Sequence, residues 1–322
     1  MLIIYLILLP VLLLIFIQTY TTLKYYYNKS INNNYKYESI NITNFEIKNP
    51  YLQAGRYHKA QLHLHTSNSI DVFKKAAISD TIKKYQSSDY HFLVITDHDS
   101  YTTCNALNHD NCLVISGIEK TIPFICWPLG KHLIQFSSAK ETIKIAAHPN
   151  WCGNFGTGRW YVNDLINSHP INFLEIFNHH SSNKDDLILW HQLLNERGPQ
   201  NPIWGVAVDD TDNAEPLNLG WIMVKNKEFS IDSLINSLNQ GSFYATTGPD
   251  ADFQINQNLI MVSTTTGVKI TFLNSQNQII ATINGKKASY SPQGNEGFIR
   301  IEIYDQNEKT AWSQPFFLIP KK

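Results

Sequence analysis

The chain has 322 residues, 43% hydrophobic and 12% aromatic, with a formal net charge of -1. That is long and apolar enough for one barrel-sized core plus a small extra domain. So small a charge, with no basic patch interleaved with aromatics and no Gly-rich phosphate loop, excludes a nucleic-acid binder working through bulk electrostatics and a Walker or Rossmann nucleotide site. The 12 His against 4 Cys, with no Cys-x-x-Cys pair among Cys104, Cys112, Cys126 and Cys152, favour imidazole and carboxylate metal chemistry over a thiolate zinc structure. Cys104 and Cys112 flank a polar loop, and the sequence leaves open a disulfide between them or four thiols.

Met1 to Ile17 is almost wholly apolar, with one proline at Pro10. The stretch is slightly shorter than the ~20 residues of a usual spanning helix. It has no polar face and lacks the charged n-region and small-residue cleavage site of a secretory signal. The expectation is an uncleaved single-pass membrane anchor over 1–20, with a cleaved signal peptide as the alternative, followed by a Tyr-, Asn- and Lys-rich tether over 21–54. Lys24, Lys29 and Lys36 follow the segment and by the positive-inside rule keep the body cytoplasmic, whereas a signal anchor would export it. Asn-x-Ser/Thr sequons at Asn28 and Asn41 matter only in a host that glycosylates.

From residue 55 onward apolar runs alternate with helical patterns or long connections. Strands are expected at 61–65, 91–96, 112–117, 131–136, 143–147, 172–177, 203–208 and 220–224. Helices are expected near 71–86, over Asp185 to Arg197, where Gly198-Pro199 stops the pattern, and over Ser230 to Asn239, with Ser230 as N-cap and Gly241 closing. This order points to an α/β fold with a mainly parallel sheet over 55–250. After Pro249 the texture becomes short alternating runs separated by Asn, Gly and Ser, which indicates a small β domain over 251–322 with no chemistry of its own.

Six of the strand-like runs end in metal-binding residue types, which suggests a ring of strands delivering ligands to one face. His63 and His65 lie two apart on a strand and point the same way. Thr96-Asp97-His98-Asp99 breaks an apolar strand with three titratable groups that are costly to bury unpaired. Glu119 follows another apolar run and is a carboxylate able to bridge two cations. His132 and His148 end or open two more, Pro149 stopping the strand after His148. Asp209, Asp210 and Asp212 cluster after Val208 and repel one another unless cations neutralise them.

In these motifs the chain resembles the PHP (polymerase and histidinol phosphatase) family of metal-dependent phosphoesterases over roughly residues 55–250. The resemblance rests on His63-Leu64-His65-Thr66, Thr96-Asp97-His98-Asp99, Gly117-Ile118-Glu119, His148-Pro149 and the late Asp cluster. It implies a distorted (β/α)7 TIM-like barrel with two or three divalent ions (Zn, Mn or Fe) held by His63, His65, Asp71, His98, Glu119, His132, His148 and Asp210, with Glu119 as the bridge. The chain departs from the family pattern at Asp212, where a His is expected; as a carboxylate Asp212 can still bind a hard cation and is counted among the expected ligands. The departure weakens a zinc-preferring third site and leaves open two metals or a preference for Mn or Mg. Gly241 to Pro249, Arg300-Ile301-Glu302 and Ala311 to Pro315 resemble the junction and β domain of a subset of the family and read as packing and turn signals.

The implied chemistry is hydrolysis of a small-molecule phosphate ester by a metal-activated water. Asp99 or Asp210 takes the proton, a histidine protonates the leaving oxygen, and Arg159 in the Gly-rich turn 153–159 holds the phosphate. Glu175 and Asn178-His179-His180 end a further strand and are expected to contact substrate. His58, His91, His109, His169 and His191 read as ordinary surface or core residues. Two rivals remain: the same metals acting on a carboxyl ester, carbamate or amide, and a membrane-tethered binding protein with a decayed metal site, for which Asp212 is the motive. An Arg or Lys at the site mouth favours phosphate; an apolar pocket favours the first rival.

Overall fold

The computed structural model describes residues 2–33, 41, 43–70, 77–104, 107–108, 111–166, 171–181, 183–212 and 217–321, with side chains inside the first helix described from Leu9 to Ile31. That helix, α1 (Leu2–Asn33), carries Pro10 and continues well past the apolar segment. Residues 21–33 are therefore helical where a tether was expected. The reason is contact with the body: the Thr21 hydroxyl donates to the Phe155 carbonyl (2.5 Å), Lys24 sits over the Tyr161 ring and Arg159 over the Tyr25 ring. Among the described residues no helix is long and apolar enough to cross a membrane. Met1 and the side chains of 2–8, the first half of the expected anchor, lie outside the described residues.

The body begins with β1 (Phe45–Lys48), β2 (Arg56–Gln61), β3 (Leu64–His65), α2 (Ile78–Gln86), β4 (Phe92–Ile95), β5 (Leu113–Pro123), β6 (Gly130–Ser137) and β7 (Thr142–Ala146). It continues through α3 (Val162–Ile166), β8 (Phe173–Phe177), α4 (Asn183–Arg197), β9 (Trp204–Ala207), β10 (Thr211–Asp212), β11 (Trp221–Asn226), α5 (Ile231–Asn239) and β12 (Phe243–Thr246). The C-terminal part is all β: β13 (Asp252–Asn256), β14 (Leu259–Ser263), β15 (Lys269–Asn274), β16 (Ile279–Asn284), β17 (Lys287–Tyr290), β18 (Phe298–Tyr304), β19 (Thr310–Trp312) and β20 (Phe316–Pro320). Of the expected helix at 71–86, α2 is the described part; residues 71–76 lie outside it.

Among the described residues the main sheet runs β1-β20-β18-β19-β12-β11-β2-β4-β5-β6-β7-β8-β9. β2, β4 and β5 pair in parallel, as do β7, β8 and β9. Between these triplets β5, β6 and β7 form an antiparallel meander, Thr121 facing His132 and Leu133 facing Ala146. The fold is mixed α/β, and among the described residues the hydrogen-bonded path of this sheet ends at β9, while β10, which follows it, pairs in parallel with β3. The meander has its reason in the connections. Residues 124–129 join β5 to β6 by a tight hairpin, and a parallel crossover needs a dozen or more residues, usually a helix.

One apolar cluster underlies the sheet, with Phe92, Val94, Ile134, Ile145, Leu174, Trp190 and Val206 all buried. A second cluster, around Phe253, Ile260, Phe272 and Ile301, fills the C-terminal β region and takes in Tyr51 and Tyr244 from outside it. It packs on the rest of the chain: β19 pairs with β12, and buried Arg300 lies over the Trp190 ring of α4. The α5 ends behave as its residues dictate. Ser230 accepts from the Ser233 N–H, and Gly241 has φ of 71° with a Cβ there only 2.7 Å from the Trp204 ring. All four cysteines are free thiols, so Cys104 and Cys112 form no disulfide.

Candidate metal centre

Six strands or strand ends deliver imidazoles and carboxylates to one point. His63 sits between β2 and β3, His65 ends β3, His98 follows β4, His148 follows β7 and Asp210 follows β9. Glu119 and His132 come from within β5 and β6, because both strands run on past the site into their hairpin. Parallel bridges tie His98 to Glu119 and β3 to β10, which joins the first and last ligand-bearing turns. Asp99, His148 and Asp210 all have positive φ (47°, 25° and 50°). Non-glycine residues held there cost ~1–3 kcal/mol each and collect at functional sites.

Glu119 is buried at the middle of the centre. Its Oε2 faces the Nε2 atoms of His63 (3.4 Å) and His65 (3.3 Å), and its Oε1 faces His132 Nδ1 (2.9 Å) and His148 Nε2 (3.0 Å). Asp210 Oδ1 lies 3.0 Å from His63 Nε2 and 3.1 Å from His65 Nε2, completing the first group. The His98 and His132 Nε2 atoms meet at 3.2 Å, extending the second. His63, His65 and Glu119 can share one ion, and His98, Glu119 and His132 another.

The donors themselves test whether a metal fits. Separations of 3.0–3.4 Å within the first group are close to the edges of a coordination polyhedron built with bonds of ~2.1 Å. The far nitrogens are anchored: His63 Nδ1 lies 2.7 Å from Glu175 Oε1, His98 Nδ1 3.2 Å from Asp99 Oδ2, and His65 Nδ1 3.3 Å from the Ser69 hydroxyl. Such partners fix ring orientation and leave Nε2 as the ligating atom. Burial works against charge in this centre, and at His63, His65, His148, Glu119 and Asp210 the mutual attraction outweighs it, whereas at His132 burial wins and lowers the pKa. His63 is held well above the usual imidazole range by Asp210, Glu175 and Glu119, and His65 is raised to about 10 by its bonds to Asp210 and Glu119. Glu119 and Asp210 are held well below the carboxylate range, chiefly by His63. Protons on these histidines compete with the cation for the same lone pairs, so metal binding releases them.

The aspartates flanking the ligands do other work. Asp97 accepts from the Thr66 N–H and hydroxyl (2.6 and 2.9 Å) and the Thr102 hydroxyl, tying the β3 and β4 tips together. Asp209 takes the N–H groups of Leu219 (2.7 Å) and Gly220 (2.9 Å) and the Tyr85 hydroxyl. Asp99, expected as a proton acceptor, takes the Thr121 N–H and hydroxyl and the Trp127 indole N–H as well as facing His98. It orients a ligand and braces the hairpin. Arg159 stacks on Tyr25 of α1 (4.3 Å) and is not among the residues lining the cleft, although it was expected to hold phosphate.

The open side of the centre is a cleft of about 180 Å³ lined by His65, His98, Glu119, His132, His148, Trp151, His180 and Asp210. Asp71 and the Asp212 side chain, both expected as ligands, lie outside the described residues. The Glu175 role was missed in the sequence: its Oε1 braces His63, its Oε2 accepts the His148 N–H (2.6 Å), and Asn178 donates to both Glu175 and Asp210 (2.8 Å each). The signal was an acid in the otherwise apolar strand Phe173-Leu174-Glu175-Ile176-Phe177.

No family model matches the chain, and no curated protein matches it. Among solved structures it is similar to a two-domain protein containing a predicted PHP-like metal-dependent phosphoesterase from Bacteroides vulgatus, with 12% sequence identity and a TM-score of 0.44 over 87% of this chain and 99% of that one.

Proposed function

We propose that this chain is a metal-dependent hydrolase that cleaves a phosphate ester with an activated water. The observation that carries the reading is Glu119, one buried carboxylate whose two oxygens face two separate histidine pairs. His63, His65, Asp210 and Glu119 would hold one divalent ion, and His98, His132, His148 and Glu119 a second. All donors are imidazole or carboxylate, a set suited to Zn, Mn or Fe. When bound, the ions bring the pKa of water toward neutrality and neutralise charge on the substrate oxygens. Asp210, directed at the cleft by Asn178, is placed to take the proton of the attacking water. His180 lines the cleft outside the donor ring and is placed to protonate the leaving oxygen.

A second reading keeps the centre and changes the bond to a carboxyl ester, carbamate or amide. It is favoured by the cleft lining, which among the described residues contains no Lys or Arg to hold a phosphate. Elemental analysis of the purified protein, together with a panel of phosphomonoesters, phosphodiesters and carboxyl esters, tests both. About two ions per chain and phosphoester turnover lost in His98→Ala support the first. Turnover confined to carboxyl esters replaces it with the second. Fewer than one ion per chain, with no hydrolysis in added Mn, removes both and leaves a binding protein.

A further inference from the structure

The face that α1 turns away from the body is more apolar than the face it packs. Toward the body go Ile17, Thr21, Lys24, Tyr25 and Asn28, a helical stripe whose later members are polar or aromatic. Toward solvent go Leu9 (72% exposed), Leu12, Leu13, Phe16 (67%), Leu23 and Tyr27 (69%). A helix on a water-facing surface shows the opposite pattern. Past the aliphatic part the exposed residues include Tyr20, Tyr26, Tyr27 and Lys29, the residue types that collect at a membrane–water boundary.

A second apolar element stands beside it. The β5–β6 hairpin tip exposes Phe124, Ile125 (57%) and Trp127 (56%), and its Phe124 ring meets Tyr20 of α1 at 6.1 Å. Phe155, 40% exposed, continues the patch from the loop that receives Thr21. This patch borders the metal centre. The Trp127 indole donates to Asp99, which faces His98, and the 153–158 turn touched by α1 packs on Trp151, a wall of the cleft.

We infer that α1 and the 124–127 hairpin tip form one lipid-facing surface that seats the rim of the metal cleft on a bilayer, so that the substrate is a phosphate ester carried at that bilayer. An exposed apolar patch of this extent calls for an apolar partner. Exposed Tyr20, Tyr26, Tyr27 and Lys29 beyond the aliphatic stretch select lipid headgroups over a second copy of the chain, because the order aliphatic, aromatic, basic along one helix matches the depth profile of a bilayer. Contact by one face of α1 and a hairpin tip requires no spanning helix. The substrate half of the inference rests on the hydrolase reading; the docking half does not.

The test uses the full chain, flotation with phosphatidylcholine vesicles with and without phosphatidylglycerol, and two double variants, Phe124→Ser/Ile125→Ser and Leu12→Ser/Phe16→Ser. The expected result is co-flotation of the wild type and a loss of partitioning of at least about tenfold in each variant. Turnover of a soluble phosphate ester by the hairpin variant should stay within about twofold of wild type, while turnover of vesicle-held phosphatidic acid falls about tenfold with the partitioning. A wild type that stays with the soluble fraction overturns the docking. So does a hairpin variant that floats unchanged, or a wild-type dimer that the hairpin variant converts to a monomer in light scattering. Flotation that behaves as expected without hydrolysis of either ester upholds the docking and overturns only the substrate class.

Discussion

Glu175 Oε1 sits 2.7 Å from His63 Nδ1, and the other oxygen of the same carboxylate accepts the His148 backbone N–H at 2.6 Å. One buried acid on β8 therefore sets the ring of a ligand in the first group and the backbone of a ligand in the second. Glu175→Gln keeps the shape but gives up a charge and turns one acceptor into a donor. Carboxylate partners of this kind are worth 10–100-fold in metal affinity. The expected outcome is a drop of about that size, read by competition with a chromophoric chelator, with unchanged secondary structure by circular dichroism.

Much of this centre was legible in the chain. His63, His65, His98, Glu119, His132, His148 and Asp210 each follow or lie within an apolar run, and burial of so many titratable groups at strand tips demands a common partner. What the sequence did not show was direction. Asp99 stands beside His98 and was expected to take a proton, yet it and Asp97 are both consumed by neighbouring N–H and O–H donors. Arg159 looked like a phosphate anchor because its turn is Gly-rich, but α1 folds back and offers Tyr25 as its stacking partner. Contacts between residues more than a hundred positions apart leave no local periodicity. The antiparallel meander was hidden for a related reason: alternation of strands and connections does not distinguish a hairpin from a crossover unless the connection length is weighed, and 124–129 is too short for a helix.

Glu119 serves both ligand groups, whereas Asp210 serves the first. Replacing each by its amide should separate the two ions. Glu119→Gln is expected to reduce metal content to below one per chain and to abolish hydrolysis. Asp210→Asn should remove one ion and retain the other, because His98, His132, His148 and Glu119 are untouched. Inductively coupled plasma mass spectrometry after gel filtration in metal-free buffer counts the ions directly; equal losses in the two variants would refute a bridging Glu119.

Metal removal should destabilise the whole fold. The ligands come from β3, β5, β6 and the turns after β4, β7 and β9, so an ion bound to the native state cross-links elements far apart in sequence. A ligand at about 100 times its dissociation constant adds ~2.7 kcal/mol. Chelation is expected to lower the unfolding midpoint by several degrees, with recovery on adding Mn or Zn. An unchanged midpoint would mean that no ion is bound in the starting protein.

Asp186 gives the stability a pH dependence of unusual sign. It lies on α4, buried, with its Oδ1 accepting the Asn150 N–H (3.0 Å) and the Asn150 side-chain amide (2.7 Å). Burial pushes its carboxyl from the ordinary 3.8 up to about 7, against the downward pull of the Asn150 bonds. Between these two values the folded state holds a proton that the unfolded state has released. Stability from this group is therefore fully present below about pH 4, falls as pH rises through the window, and levels off above pH 7. The full excursion is worth roughly 4 kcal/mol at most. Asp186→Asn cannot ionise and keeps a carbonyl for Asn150, so it should be more stable than wild type at pH 8 by an appreciable part of that figure, with the gap shrinking toward pH 5. Urea unfolding of both proteins in chelator at the two pH values measures the difference. Parallel pH profiles would show that Asp186 ionises in the folded protein as freely as in the unfolded chain.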